Sequence, residues 1–188
     1  MDGAQAEQST ADFEADLRRG RVVVRFAGDS GDGIQLLGGE FGKVIATSER
    51  DILTFADFPA EIRAPVGTLF GVSAFQIQFG GPRILTMGDQ VDVLFAFNPA
   101  ALKTNLRAVR DGGLIFVDKD AFTKRNVDKA GYAESPIESG ELGRYNVIEI
   151  DITRLAREVA TACGVTKKEA DQLRAKAAPK ESKESSEK

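Results

Sequence analysis

A β-branched run at residues 21–27 (RVVVRFA) passes directly into Gly28-Asp29-Ser30-Gly31-Asp32-Gly33, and apolar residues then recur at 34, 37, 41, 44 and 45. The first stretch reads as a buried strand and residues 34–48 as an amphipathic helix. A strand that hands over to a helix across one short glycine loop belongs to α/β architectures, where a helix crosses the sheet toward the next parallel strand. Glycines 38 and 39 lie inside that helix, where each weakens it by about 1 kcal/mol relative to Ala. Their presence predicts close approach to the sheet or to another chain.

The same alternation continues along the chain. Further strands are expected at residues 51–55, 69–79, 90–97, 114–118 and 146–151, with helices at 100–109 and 152–163. Residues 56–67 read as an irregular loop, because Pro59 and Pro65 block a helix. The expected fold is a three-layer α/β/α arrangement with a mostly parallel, Rossmann-like sheet. The 69–79 strand follows a loop rather than a helix, so it is free to run antiparallel. Residues 1–20 read as a polar tail, 21–172 as one domain, and 173–188 as a charged tail. The end of that tail (KAAPKESKESSEK) has too little apolar surface to offset its ordering entropy and is expected to be disordered.

Composition removes several function classes. A net charge of −4 and the lack of a basic stripe with interleaved aromatics argue against a nucleic-acid partner. Histidine is absent, which removes the commonest general base, the usual zinc ligand and any Ser-His or Cys-His nucleophile. The single cysteine, Cys163, cannot form an internal disulfide or supply the four thiolates of an iron–sulfur cluster. No catalytic or metal-ligating residue is therefore nominated. No apolar run approaches membrane-spanning length, and the acidic first residues do not read as a signal peptide, so the cytoplasm is the expected location.

The glycine loop is the strongest candidate site. Glycines let a backbone approach a ligand, and the free N–H groups of a helix's first turn attract anions. Neither common phosphate motif fits. The dinucleotide fingerprint G-x-G-x-x-G matches at Gly31 and Gly33 but finds Leu36 at its third glycine. A P-loop matches at Gly28 and Gly33 but has Ile34-Gln35 in place of Lys-Ser. Asp29 and Asp32 would oppose an anion unless they point away or bind backbone donors. A plain capped turn between strand and helix remains the alternative reading.

Residues 23–39 (VVRFAGDSGDGIQLLGG), 58–79 (FPAEIRAPVGTLFGVSAFQIQF) and 92–102 (DVLFAFNPAAL) resemble the gamma domain of thiamine-diphosphate-dependent 2-oxoacid:ferredoxin oxidoreductases. The form fused at the front of the alpha subunit in 2-oxoglutarate oxidoreductases is the most similar, over residues 21–171. The resemblance implies oxidative decarboxylation of a 2-oxoacid, with coenzyme A as co-substrate and electrons passing to ferredoxin. Thiamine diphosphate, Mg2+ and iron–sulfur clusters would then reside in alpha and beta partner subunits. By the same resemblance, Gly28, Asp29, Ser30, Gly31, Asp32 and Gly33 would face coenzyme A or the cofactor cleft. Arg63 would meet a coenzyme A phosphate, a role suited to its planar fork of donors. The chain lacks a recognisable G-D-G…N thiamine–magnesium motif and the large pyrimidine-binding domain of the fused relatives. A free-standing gamma subunit, a truncated alpha subunit and a stand-alone nucleotide- or coenzyme-A-binding module are the three readings this leaves.

Other residues carry weaker signals. Glu61 reads as a base, a bridge to a partner or a solvated carboxylate, and Asn98-Pro99 as a ligand-side turn or a plain one. Cys163 reads as a core or edge thiol, and Lys124-Arg125 as solvated charge. Tyr145 points to no chemistry.

Overall fold

The computed structural model describes residues 20–48, 50–58, 71–80, 84–162 and 164. The elements are β1 (Val22–Asp29), α1 (Ile34–Ala46), β2 (Ile52–Asp57), β3 (Val72–Phe79), β4 (Val91–Ala96), α2 (Pro99–Asn105), β5 (Val109–Asp118), α3 (Lys124–Lys129), β6 (Asn146–Ile150) and α4 (Ile152–Ala162). The six strands form one sheet in the order β2-β3-β1-β4-β5-β6. β1, β4, β5 and β6 run parallel, whereas β3 is antiparallel to both β1 and β2. The expected α/β class, the parallel majority and the single reversed strand are all present. The chain divides at Asp151, and α4 is described as a separate unit.

Alternation along the strands gives the sheet two buried faces. Val22, Val24 and Phe26 join Ile34, Ile77, Phe79 and Val93 under α1. Val23 and Ala27 join Leu94, Ala101, Leu102 and Ile115 on the α2 side. On the α1 face the register aligns Phe26, Phe95 and Phe116 across β1, β4 and β5. Their rings stack at 4.8 and 4.5 Å, and Phe41 of α1 meets Phe26 edge-on at 5.3 Å. Each such pair adds about 0.5–1.5 kcal/mol beyond the area it buries.

Helix α1 lies close on the sheet because Gly38 has no side chain. A Cβ there would fall among the ring and Cβ atoms of Phe75. Gly39 differs: a Cβ there would meet nothing within 4 Å. The apolar positions 37 and 44 also fail to bury, Leu37 being 40% and Val44 66% exposed. The face that packs consists of Ile34, Gly38 and Gly42 with Phe41 and Ile45.

Several details depart from expectation. The 100–109 helix ends at Asn105, a 3-10 turn covers Leu106–Ala108, and Val109 already belongs to β5. Gly112-Gly113, which reads as punctuation before a strand, is an irregularity inside β5. Val109 pairs with Val91 but Leu114 with Val93, and Gly112 adopts φ 73°. Helix α3 has no counterpart among the expected elements, because its sequence KRNVDK is short and buries only Val127. Both glutamines of β3 are buried, since α2 and residues 84–90 cover that face. Gln76 accepts from Arg25 Nε at 2.9 Å and donates to the Met87 and Gly88 carbonyls.

Candidate functional site

From the parallel neighbours β1 and β4 the chain continues in opposite directions along the sheet, from β1 through α1 to β2 at one edge and from β4 through α2 to β5 on the other side. Such a switch point leaves a crevice beyond the carboxyl ends of the two strands, where open α/β sheets place ligands. The Gly28–Gly33 loop leaves β1 at that point, and Asn98-Pro99 leaves β4 beside it. Gly28 is buried, Asp29 is half-buried, and Ser30, Gly31, Asp32 and Gly33 are exposed.

The loop is tight and internally bonded. The Asp32 backbone N–H donates to the Asp29 carbonyl at 3.0 Å, and the Asp29 N–H donates to Asp32 Oδ2 at 3.1 Å. Gly33 ends it at φ 73°, a left-handed conformation that L side chains adopt only at a cost. No side chain caps α1, so no Ser, Thr or Asp oxygen occupies its first-turn donors. Ser30 Oγ donates to the Gly71 carbonyl at 3.0 Å, which ties the loop to the start of β3.

Both acidic residues are engaged inside the protein. Asp29 Oδ1 accepts from Asn98 Nδ2 at 2.8 Å, while Asn98 Oδ1 caps α2 by accepting from the Ala101 N–H at 2.8 Å. Asn98 thus joins the two strand ends, doing more than a plain turn requires. The carboxylate of Asp32 folds back on the loop. The desolvation this causes raises its pKa above the ordinary value, the Asp29 charge adds to the rise, and the bond to Asp29 partly offsets it.

Gln35, which stands where a P-loop would have serine, also has a structural task. Its Nε2 donates to Ser73 Oγ at 2.8 Å and the Ala74 carbonyl at 3.0 Å, fixing the start of α1 to β3. A cavity of about 150 Å3 lies beside the loop, lined by Asp29, Asn98, Pro99, Asn126, Lys129 and Ala130. Asn126 and Lys129 escape a sequence reading because they sit on α3, whose single buried residue leaves no period to detect.

Arg63, Glu61, Pro59 and Pro65 lie outside the described residues, as do Cys163, residues 1–19 and residues 165–188. The ends flanking residues 59–70 are described. Asp57 pairs with Ala74, and Asp29 with Val72, so the end of β2 and the start of β3 lie at the end of the sheet that bears the glycine loop. Lys124 and Arg125 are exposed, as solvated charges should be. Among the described residues, no group of three His, Cys, Asp or Glu side chains is placed to hold a metal ion, and no helix is long and apolar enough to cross a membrane.

Comparison with known proteins adds the family. Residues 23–174 match the model of the pyruvate ferredoxin/flavodoxin oxidoreductase family. The chain is 50% identical over 170 residues to the 2-oxoglutarate oxidoreductase subunit KorA of Mycobacterium tuberculosis, covering 89% of this chain and 26% of that protein. It therefore spans about a quarter of that relative's length. Among solved structures, it is similar to a 2-oxoglutarate:ferredoxin oxidoreductase from Magnetococcus marinus with 2-oxoglutarate, coenzyme A and succinyl-CoA bound. That match has a TM-score of 0.56 and 25% identity over 74% of this chain and 21% of the other. The gamma subunit of a keto/oxoacid ferredoxin oxidoreductase from Geobacter sulfurreducens shares the fold, with a TM-score of 0.51 and 20% identity over 73% of this chain and 65% of that one.

Proposed function

Because the chain belongs to the pyruvate ferredoxin/flavodoxin oxidoreductase family, we propose that it serves as the gamma component of a 2-oxoacid:ferredoxin oxidoreductase, with 2-oxoglutarate as the expected substrate. In this reading the assembled enzyme converts the 2-oxoacid and coenzyme A to acyl-CoA and CO2, and electrons leave to ferredoxin. The chain's share is to bind and orient coenzyme A at a cleft that alpha and beta subunits complete. Thiamine diphosphate, Mg2+ and iron–sulfur clusters belong to those partners. One cysteine does not fit a four-thiolate cluster.

The observation that carries the proposal is the exposed loop at the β1/β4 switch point, with an uncapped helix start behind it. Uncapped N–H groups and the partial positive charge of the helix end suit a phosphate of coenzyme A. The two carboxylates that would repel that phosphate are held by Asn98 and by the loop's own backbone. Arg63 supplies the full positive charge that the loop lacks.

Co-expression with candidate alpha and beta subunits tests this. Joint purification and 2-oxoglutarate-dependent reduction of a viologen dye, requiring coenzyme A, are expected. Arg63→Ala should raise the coenzyme A requirement by an amount equivalent to about 1.5–3 kcal/mol, the value of a charged hydrogen bond. A chain that never joins such partners, or an Arg63→Ala complex with unaltered coenzyme A dependence, would count against the proposal.

A further inference from the structure

The cavity beside the glycine loop holds about 150 Å3, less than the roughly 300–1,000 Å3 of pockets that enclose a whole ligand. It suits one part of a molecule anchored elsewhere. Asp29 belongs both to the loop and to the cavity wall, so a ligand held at the loop can continue directly into the cavity. The α3 side of that wall is fixed in place. Lys103 of α2 donates to the Ala130 and Gly131 carbonyls at 2.9 and 2.8 Å, which ties down the end of the helix that carries Asn126.

The wall asks for a hydrogen-bond donor. Asn126 Nδ2 donates to the Ala121 carbonyl at 2.8 Å, which fixes the amide and leaves its Oδ1 as an acceptor. Asp29 gives Oδ1 to Asn98 and keeps Oδ2. Among the described residues neither Asn126 Oδ1 nor Asp29 Oδ2 accepts a bond, and neither is sealed from solvent. The wall's two charges, on Asp29 and Lys129, cancel, so it favours an uncharged group. A phosphate offers acceptors only and would face two acceptor oxygens, one of them charged. Adenine is usually held by stacking on aromatic rings, and no residue lining the cavity is aromatic.

On the reading that the loop holds coenzyme A, on which this inference rests, we propose that the cavity between the loop and α3 receives the pantetheine arm. An amide N–H of that narrow, uncharged arm donates to Asn126 Oδ1, with Asp29 as the neighbouring acceptor. Asn126 is then a specificity residue. It separates coenzyme A from nucleotides that carry the same base, sugar and phosphates.

Calorimetry on the chain assembled with its partners, with no 2-oxoacid present, compares coenzyme A with 3′-phospho-ADP, which keeps every phosphate group and lacks the arm. The parent complex should bind coenzyme A more tightly. Asn126→Ala should weaken coenzyme A about threefold to tenfold, the effect of one neutral hydrogen bond, and leave 3′-phospho-ADP unchanged. Asn126→Asp also loses the bond to the Ala121 carbonyl but keeps an acceptor, so it should preserve the parent's ratio of the two affinities. The proposal falls if the parent binds both ligands equally, or if Asn126→Ala changes both alike or neither. It falls too if Asn126→Asp loses the ratio as fully as Asn126→Ala, which would assign the residue to the structure of α3. A complex that binds neither ligand overturns the coenzyme A reading itself, and this inference with it.

Discussion

Gly38 and Gly39 are neighbours in one helix, yet alanine at the two positions should change stability in opposite directions. In an open helical site, Gly→Ala gains about 1 kcal/mol from helix propensity. Gly39 is such a site, because a Cβ there meets nothing within 4 Å. Gly39→Ala should therefore stabilise the chain by about 1 kcal/mol, which raises the melting temperature of a domain near this size by about 2–4 °C. At Gly38 the added Cβ would overlap the Phe75 ring and approach the Phe75 Cβ at 2.8 Å. Ring rotation cannot move that Cβ, so α1 must lift from β3. Overpacking of this kind costs about 1–3 kcal/mol, enough to exceed the propensity gain. Urea unfolding of both variants, followed by circular dichroism, should separate them by about 1–3 kcal/mol. Gly38→Ala combined with Phe75→Ala should then lose less than the two single losses summed. Equal stabilisation by both alanines would refute the close packing of α1 on β3.

Three further outcomes follow from the loop. Asn98→Ala removes the α2 cap and the bond to Asp29, and should cost about 1–3 kcal/mol in urea unfolding. Gly33→Ala meets no atoms but must adopt φ 73°, so it should cost about 1–2 kcal/mol from conformation alone. Asp32 has its folded pKa raised, so its contribution to stability is fully present below the unfolded pKa and is lost as pH rises through the folded one. Asp32→Asn keeps an oxygen to accept from the Asp29 N–H and carries no charge. Its stability relative to the parent should rise across that same window; a flat difference between acidic and neutral pH would show that the carboxylate is not desolvated.

Much of this fold was legible from periodicity. Strong β-branched runs such as RVVVRFA and VDVLFA form strands where the pattern places them, because both faces of a parallel sheet demand apolar residues. The reversed β3 was legible from the loop that precedes it. Less legible were features that depend on tertiary pairing. Gly112-Gly113 reads as a break but lies inside β5, where Gly112 donates to the Arg144 carbonyl and accepts from Asn146. Val44 is apolar at a helical interval yet exposed, because the bare backbone of Gly38 and Gly42 turns the helix's other face to the sheet. Within the site, the glycine loop announced itself through composition. Asn98 was legible only as a turn at a strand end, and neither its bond to Asp29 nor the role of Gln35 could be read, since those bonds join residues far apart in sequence.

Backbone amide exchange tests the central claim most directly, using this chain assembled with its alpha and beta partners. Addition of coenzyme A should slow exchange in a peptide spanning residues 29–37, where the loop's donors and the first turn of α1 meet the ligand. Unchanged exchange in that peptide, with protection confined to the partners or to the far end of the sheet, would contradict the claim.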